Sequence, residues 1–205
     1  METGSEWVRQ NLLLKGKMSN EMYLEGFKLM ASHGIRSTCN SMIGFPGEYE
    51  EYFFETIKLN KKIRSIDQEL TSCDVCFVAP YSGTVIHNIC LELGLFTTYE
   101  KPGYRGLCKN ITMRKEPVIN NPTMSKEKMI ELHANFSDYI NGKKDIPENF
   151  LFDDPERKYA EGNPIYDVYE RYKKGPIDID PNNFDTSKNF LFEKSQPSFI
   201  TNSQI

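Results

Sequence analysis

The sequence predicts an α/β fold with parallel strands, because segments with helical and strand spacing alternate along its first 94 residues. Each of the two predicted strands runs into a short turn that contains Gly and Pro, and a predicted helix follows each turn. Helices that alternate with strands act as crossovers, so the strands lie parallel in one sheet. Prolines become more frequent after residue 94, where we expect an irregular C-terminal extension.

The first predicted elements are two helices and a strand. Residues 6–15 have helical character, and Ser19 predicts the N-cap of a second helix. The apolar stripe of that helix is expected to consist of Tyr23, Phe27 and Met30, with Leu24 and Ala31 beside it. Gly34 predicts the end of the helix, and residues 35–43 predict a strand.

The next predicted elements repeat the helix-strand order. A helix over about residues 49–63 carries Phe53, Phe54, Ile57 and Asn60 on its inner side, and residues 71–79 predict a second strand. Thr84 predicts the N-cap of a further helix that stops at Gly94. We therefore treat residues 1–94 as one α/β unit.

The remaining chain divides into a loop-and-helix extension over residues 95–142 and a partly ordered tail over residues 143–205. In the extension, Ser125 predicts the N-cap of a helix that runs to about residue 140, with Met129, Leu132 and Phe136 facing inward. The tail is rich in Pro, Asn and Asp. It predicts one short helix that carries Tyr166, Tyr169 and Tyr172, with Asn163 as its cap.

The charge balance limits the classes of partner that we expect for the chain. It has 25 Lys and Arg against 29 Asp and Glu, a formal net charge of −4. A basic stripe of the kind that binds nucleic acid is missing from the sequence, so we do not expect a nucleic-acid partner. The longest apolar run is far shorter than the ~18 residues of a membrane span, and the first residues do not resemble a secretory signal. We therefore expect a cytoplasmic protein.

The five cysteines argue against a disulfide framework, because their number is odd. Cys73 and Cys76 form a C-x-x-C pair, but they lie on a predicted strand and would point to opposite faces. Core or edge positions are therefore the favoured interpretation over a metal or redox pair. We predict no metal ligands in this chain.

Three turns that each precede a predicted helix form an ordered series; two of them follow a predicted strand, and the strand of the first is expected to lie before Met1. They are Glu-Thr-Gly-Ser-Glu-Trp at residues 2–7, Met-Ile-Gly-Phe-Pro-Gly-Glu at residues 42–48 and Ala-Pro-Tyr-Ser-Gly-Thr at residues 79–84. The series resembles the second half of the radical S-adenosylmethionine (SAM) core, in the branch whose members often carry a cobalamin-binding domain. The resemblance covers about residues 2–140 and implies a partial TIM-type (β/α) barrel with chemistry at the carboxyl ends of its strands.

The chain departs from that family at the iron-sulfur cluster. Family members hold a [4Fe-4S] cluster with three cysteines, usually spaced C-x-x-x-C-x-x-C, and no such triplet occurs here. The resemblance thus implies that the cluster loop and the glycine-rich SAM segment come from an N-terminal half or domain. The expected function is the C-terminal portion of an enzyme that cleaves SAM reductively and performs radical chemistry on a small-molecule or unknown substrate. Cobalamin-dependent methyl transfer is expected where a cobalamin-binding domain is present.

The chain alone is then expected neither to bind the cluster nor to cleave SAM. The alternative hypothesis is a non-catalytic α/β binding or interaction module that is built on a partial barrel.

The resemblance implies cofactor contacts for the first turn and the first strand. Glu2 is expected to accept hydrogen bonds from the SAM ribose hydroxyls, or else to complement a helix dipole. Gly4 would permit close backbone approach, and Ser5 would cap the helix, bind ligand, or do both. Asn40 would either reach SAM or substrate, or hydrogen-bond within the sheet.

The resemblance also implies roles at the two later turns. The last strand end is expected to line the adenine with Val78, Ala79, Pro80 and Tyr81. Tyr81 could equally be a packing residue. In the middle turn, Gly44, Pro46 and Gly47 are expected to shape the backbone, and Glu48 to cap the following helix. The three histidines are expected at surface or helix-end positions: His33, His87 and His133.

Overall fold

The computed structural model describes residues 1–16, 18–97, 115–147 and 165–174. Within these ranges the fold is mixed α/β, as the sequence predicts. Strands β1 (Ser37–Ile43) and β2 (Thr71–Phe77) form a two-stranded parallel sheet, and α2 (Glu50–Arg64) is the crossover between them. The predicted Asn163 cap, Cys108 and most of the tail lie outside the described residues.

Three predicted N-caps are confirmed, because each side chain accepts a backbone hydrogen bond at the start of its helix. Ser19 begins α1 (Asn20–Ser32), Thr84 begins α3 (Val85–Glu92), and Ser125 begins α4 (Lys126–Ile140). A short helix, α5 (Tyr166–Lys173), is present in the tail. These caps depend on interactions within one helical turn, which is why the sequence alone reveals them.

The predicted helix over residues 6–15 is confirmed for residues 6–12 and wrong for residues 13–15. Its main part is a short π-helix, Val8–Leu12, in which Leu13 N donates to Val8 O at 2.9 Å. The chain then leaves the helix through Leu14, whose φ is +55°. The reason is tertiary: the Arg9 guanidinium binds Met18 O with Nη2 at 3.1 Å, which requires the chain to double back after the helix.

One part of the core lies at the strand ends, where the π-helix, α3 and α5 pack together, and another part lies on one face of the sheet. Helices α2 and α4 cover this face, and their buried side chains pack with the ends of both strands: Ile43, Phe53, Phe54, Ile57, Phe77, Met129, Leu132 and Phe136. The inward positions predicted for α2 and α4 are therefore confirmed. On α1, only Phe27 of the predicted stripe is buried, while Leu29 is 62% exposed.

The other face of the sheet is open and polar. Thr38, Asn40, Ser72 and Asp74 are exposed there, and the Thr38 and Ser72 hydroxyl oxygens are 2.8 Å apart. Among the described helices, none is long and apolar enough to cross a membrane.

Candidate functional site

A pocket of about 460 Å³ lies at the carboxyl ends of the two strands. The three turns that the sequence singles out all contribute to it. Its walls include one residue of the first turn, the end of β1 with the turn that follows, and the segment after β2: Glu2, Met42, Phe45, Val78, Ala79, Pro80 and Tyr81. Five of the eight predicted site residues therefore share one pocket.

Two backbone hydrogen bonds align these segments. Met42 N on β1 donates to Glu2 O at 2.7 Å, and Val78 N donates to Ile43 O at 2.9 Å. The first turn, β1 and the end of β2 therefore lie side by side. Because parallel strands end at the same edge of a sheet, the turns that follow them meet at one rim.

Glu2 lies at the rim of the pocket and forms an ion pair with Lys15, which also lines the pocket. Partial burial works to raise the pKa of Glu2, but the hydrogen bond and charge of Lys15 outweigh that effect and lower it. The carboxylate is thus ionised at neutral pH. It can accept hydrogen bonds from hydroxyl groups of a ligand.

Gly4 and Ser5 do not line the pocket, and their contact with a ligand stays a prediction. Gly4 N donates to Thr56 Oγ1 at 2.8 Å, and the close approach that its lack of a side chain allows is to α2. Ser5 is fully buried and its Oγ accepts from Val8 N at 3.5 Å, so its helix-capping alternative is the one that the structure supports. Both residues hold the first turn against α2.

We expect Gly4→Ala to destabilise the protein by about 1–3 kcal/mol, because a Cβ at position 4 would lie 2.6 Å from Thr56 Cα and force backbone movement. Gly26 on α1 is a matched control, since a Cβ there meets nothing within 4 Å. Gly26→Ala should stabilise by up to about 1 kcal/mol through helix propensity. Urea unfolding of both variants measures the difference; equal effects would contradict the packing described.

Asn40 is exposed on the open face of the sheet, two positions before Met42, and it does not line the pocket. The alternation of β1 explains this placement, because Cys39, Ser41 and Ile43 take the buried face. In contrast, the segment from Val78 to Tyr81 forms one wall of the pocket, with Val78 buried and Tyr81 partly exposed. Contact of that segment with an adenine stays a prediction.

The side chain of Glu48 folds back onto the middle turn (residues 42–48) and hydrogen-bonds to its backbone. Its carboxylate Oε2 accepts from Gly44 N at 2.6 Å and from Phe45 N at 3.2 Å, and the side chain is fully buried. The prediction that Glu48 caps the following helix is therefore wrong, and Tyr49 occupies the N-cap position of α2. Burial raises the pKa of Glu48 to about 8, against the effect of the two backbone hydrogen bonds.

Asn121 of the extension and Tyr169 of the tail hydrogen-bond to the same turn, and neither contact was predicted from sequence. Asn121 accepts from Gly47 N at 3.1 Å and donates to Phe45 O at 3.1 Å. The Tyr169 hydroxyl of α5 donates to Pro46 O at 3.0 Å. These contacts span more than 70 residues of chain, so no local sequence pattern could have revealed them.

Two histidines are less exposed than predicted. His87 on α3 is 5% exposed, and its Nε2 lies 3.4 Å from Ser82 Oγ. His133 on α4 stacks on Phe77, with ring centroids 4.4 Å apart. Burial lowers the pKa of both histidines. His33 follows the last residue of α1 and is exposed, as predicted.

The described cysteines are not arranged as metal ligands. Cys73 and Cys76 point to opposite faces of β2, as predicted, and Cys90 is buried on α3. Within residues 1–16, 18–97, 115–147 and 165–174, no three His, Cys, Asp or Glu side chains come together in a metal-binding group. Comparison with known proteins found no matching family model, no matching curated protein and no matching solved structure.

Proposed function

We propose that this chain is the C-terminal portion of a radical SAM enzyme, and that the pocket at the strand ends contributes one side of its SAM site. One observation carries the proposal: three turns far apart in sequence, each resembling a turn of that family, line the same pocket. A pocket of about 460 Å³ falls within the usual range of about 300–1,000 Å³ for small-molecule sites.

The pocket residues suit the adenosine part of SAM. Val78, Ala79 and Met42 offer apolar surface for a base, and Tyr81 offers an aromatic ring. Glu2 offers an ionised carboxylate for ribose hydroxyls. In this proposal these residues bind and orient the nucleoside and exclude water from it.

The described cysteines do not suit a [4Fe-4S] cluster, because Cys39 and Cys73 lie on one face of the sheet, Cys76 on the other, and Cys90 on α3. We therefore assign the cluster ligands to an N-terminal half or domain and derive no step of the reaction from this chain. When bound in the complete protein, the cluster and SAM would supply a 5′-deoxyadenosyl radical, with cobalamin as a methyl carrier where its domain is present.

The sheet offers a place for that partner. β1 pairs with β2 along one edge, and on its other edge Met42 N donates to Glu2 O. A partner strand pairing along this second edge would extend the sheet toward a partial (β/α) barrel. The open polar face, with Thr38, Asn40 and Asp74, would then line the barrel interior.

Titration with S-adenosylhomocysteine, followed by calorimetry, tests the pocket. We expect saturable binding by the full chain. Glu2→Gln should weaken it about tenfold or more, because a hydrogen bond to a charged group contributes about 1.5–3 kcal/mol. Glu116→Gln is the matched control, since Glu116 is also paired with a lysine, Lys126, but lies outside the pocket. Absence of binding, or equal loss in both variants, would refute the assignment.

The alternative is a non-catalytic binding module. It is favoured by the ion pair between Glu2 and Lys15, which already occupies the carboxylate and leaves a mainly apolar pocket. A compact monomer in sedimentation that binds an apolar fluorescent dye, and does not bind S-adenosylhomocysteine, would support this alternative.

A further inference from the structure

Cys39 and Cys73 lie directly opposite each other on the two strands. Both side chains belong to the covered face of the sheet, where they pack in one apolar cluster with Phe27 of α1 and Leu59 and Ile63 of α2. Neighbouring strands are about 4.8 Å apart, which lies within the range of about 4.4–6.8 Å that Cα atoms span in disulfides. The backbone thus already holds two thiols at bridging distance.

The two thiols differ in their surroundings. Cys39 is completely buried, while Cys73 is partly exposed on β2 and its Sγ donates to Asn60 O at 3.5 Å. The contact between the two thiols lowers the pKa of Cys39 and raises that of Cys73. An oxidant from solution would therefore reach Cys73 first, and the buried Cys39 thiol is in contact with Cys73.

We propose that Cys39 and Cys73 form a redox-modification site, which a low-molecular-weight disulfide converts into a disulfide bond between β1 and β2. The Cys73 sulfur attacks the small disulfide, forms a mixed disulfide and releases one small thiol. The Cys39 sulfur then attacks Cys73 Sγ, closes the cross-strand bond and releases the second small thiol. The two protein thiols lose two electrons and two protons, and the small disulfide gains them.

Such a bond is expected to be easily reduced. Two Cβ atoms that face each other across neighbouring strands are separated by about the strand spacing of 4.8 Å. In a relaxed disulfide the Cβ–Cβ distance is about 3.8 Å, so closing the bond pulls the two strands together. The resulting strain raises the reduction potential, which is typical of regulatory rather than structural disulfides. An odd cysteine count and a reducing compartment are compatible with a transient bond of this kind.

The test is incubation of the native full chain with oxidised glutathione, followed by alkylation and peptide mapping without reductant. Trypsin with an Asp-specific protease separates Cys39, in residues 37–58, from Cys73, in residues 67–73, and leaves Cys76 on a third peptide. We expect the first two peptides to be linked, and dithiothreitol to release them. Cys73→Ser should abolish the linkage.

Cys76→Ser is the matched control, because Cys76 is on the same strand with similar exposure but lies opposite Met42. It should form the 39–73 linkage to the same extent as the wild type. The proposal is overturned if the native wild-type chain forms only linkages that involve other cysteines, if the 39–73 linkage appears only in urea, or if both thiols stay alkylatable. Because mapping of the wild type decides these outcomes, the test does not depend on the folding of a variant.

Discussion

The free energy of unfolding should fall by up to about 5 kcal/mol between pH 4.5 and about 8 through the single carboxyl of Glu48. Burial raises the pKa of this group in the folded chain, so its contribution is fully present below the unfolded pKa. As pH rises, the unfolded state ionises first and becomes relatively more stable. The loss is complete once pH exceeds the folded value of about 8.

Glu48→Gln isolates this effect, because glutamine keeps an oxygen that can accept from Gly44 N and Phe45 N but carries no charge at any pH. We expect similar stability of the variant and the wild type below pH 4.5, and a more stable variant at pH 8. His87 and His133 act in the opposite direction in both proteins, because burial lowers their pKa. Comparison at each pH therefore cancels their contribution.

Chemical denaturation across this pH range provides the measurement. Glu48→Ala should lower stability below pH 4.5, since it leaves two buried amide groups of the turn without their acceptor, and its difference from the wild type should shrink as pH rises. Parallel pH profiles for the wild type and Glu48→Gln would contradict the burial described for this carboxyl.

Arg9→Met should cost about 3 kcal/mol, because hydrogen bonds to a charged group contribute about 1.5–3 kcal/mol each. Arg9 is 1% exposed. Its guanidinium donates to Thr3 O at 2.6 Å and to Asn20 Oδ1 at 2.7 Å, and lies over the Tyr23 ring. The substitution removes these bonds and leaves the buried Thr3 O without this donor, whereas Glu6, whose Oε1 is 3.8 Å from Nη2, is 42% exposed and stays solvated.

Arg36→Met is the control for loss of a positive charge, because Arg36 is exposed just before β1. Its effect on the free energy of unfolding should stay within about 0.5 kcal/mol. Arg9→Lys should be intermediate, since an ammonium group cannot reproduce the planar set of donors. Urea unfolding of the three variants gives the comparison. Equal small losses for Arg9→Met and Arg36→Met would show that the buried network contributes little.

Local patterns of the sequence were sufficient for most elements of the α/β unit. Ser19, Thr84 and Ser125 each cap a helix as predicted, and Gly34 and Gly94 follow helix ends with φ of +67° and +62°. These features act within a single turn of helix, so the nearby residues are sufficient to predict them. The parallel pairing of β1 with β2 followed from the crossover rule.

Of the eight predicted site residues, Glu2 and the four residues after β2, Val78 to Tyr81, line the pocket. The four do so because the end of a parallel strand leads to the rim of the sheet. Asn40 shares its face of β1 with Met42 but does not line the pocket, because it lies two residues further from the strand end. Gly4 does not line it because it packs against α2, a helix about 50 residues away in sequence.

The sequence by itself determined most of the helices and strands, and that two of the three turns follow strand ends. Only the tertiary structure decided the role of Glu48, the short π-helix around Arg9, and the support that Asn121 and Tyr169 give to the middle turn. The physical reason is the range of the interactions. Caps and side-chain periodicity act within a few residues, whereas burial and hydrogen bonding of these polar groups depend on segments that only folding brings together.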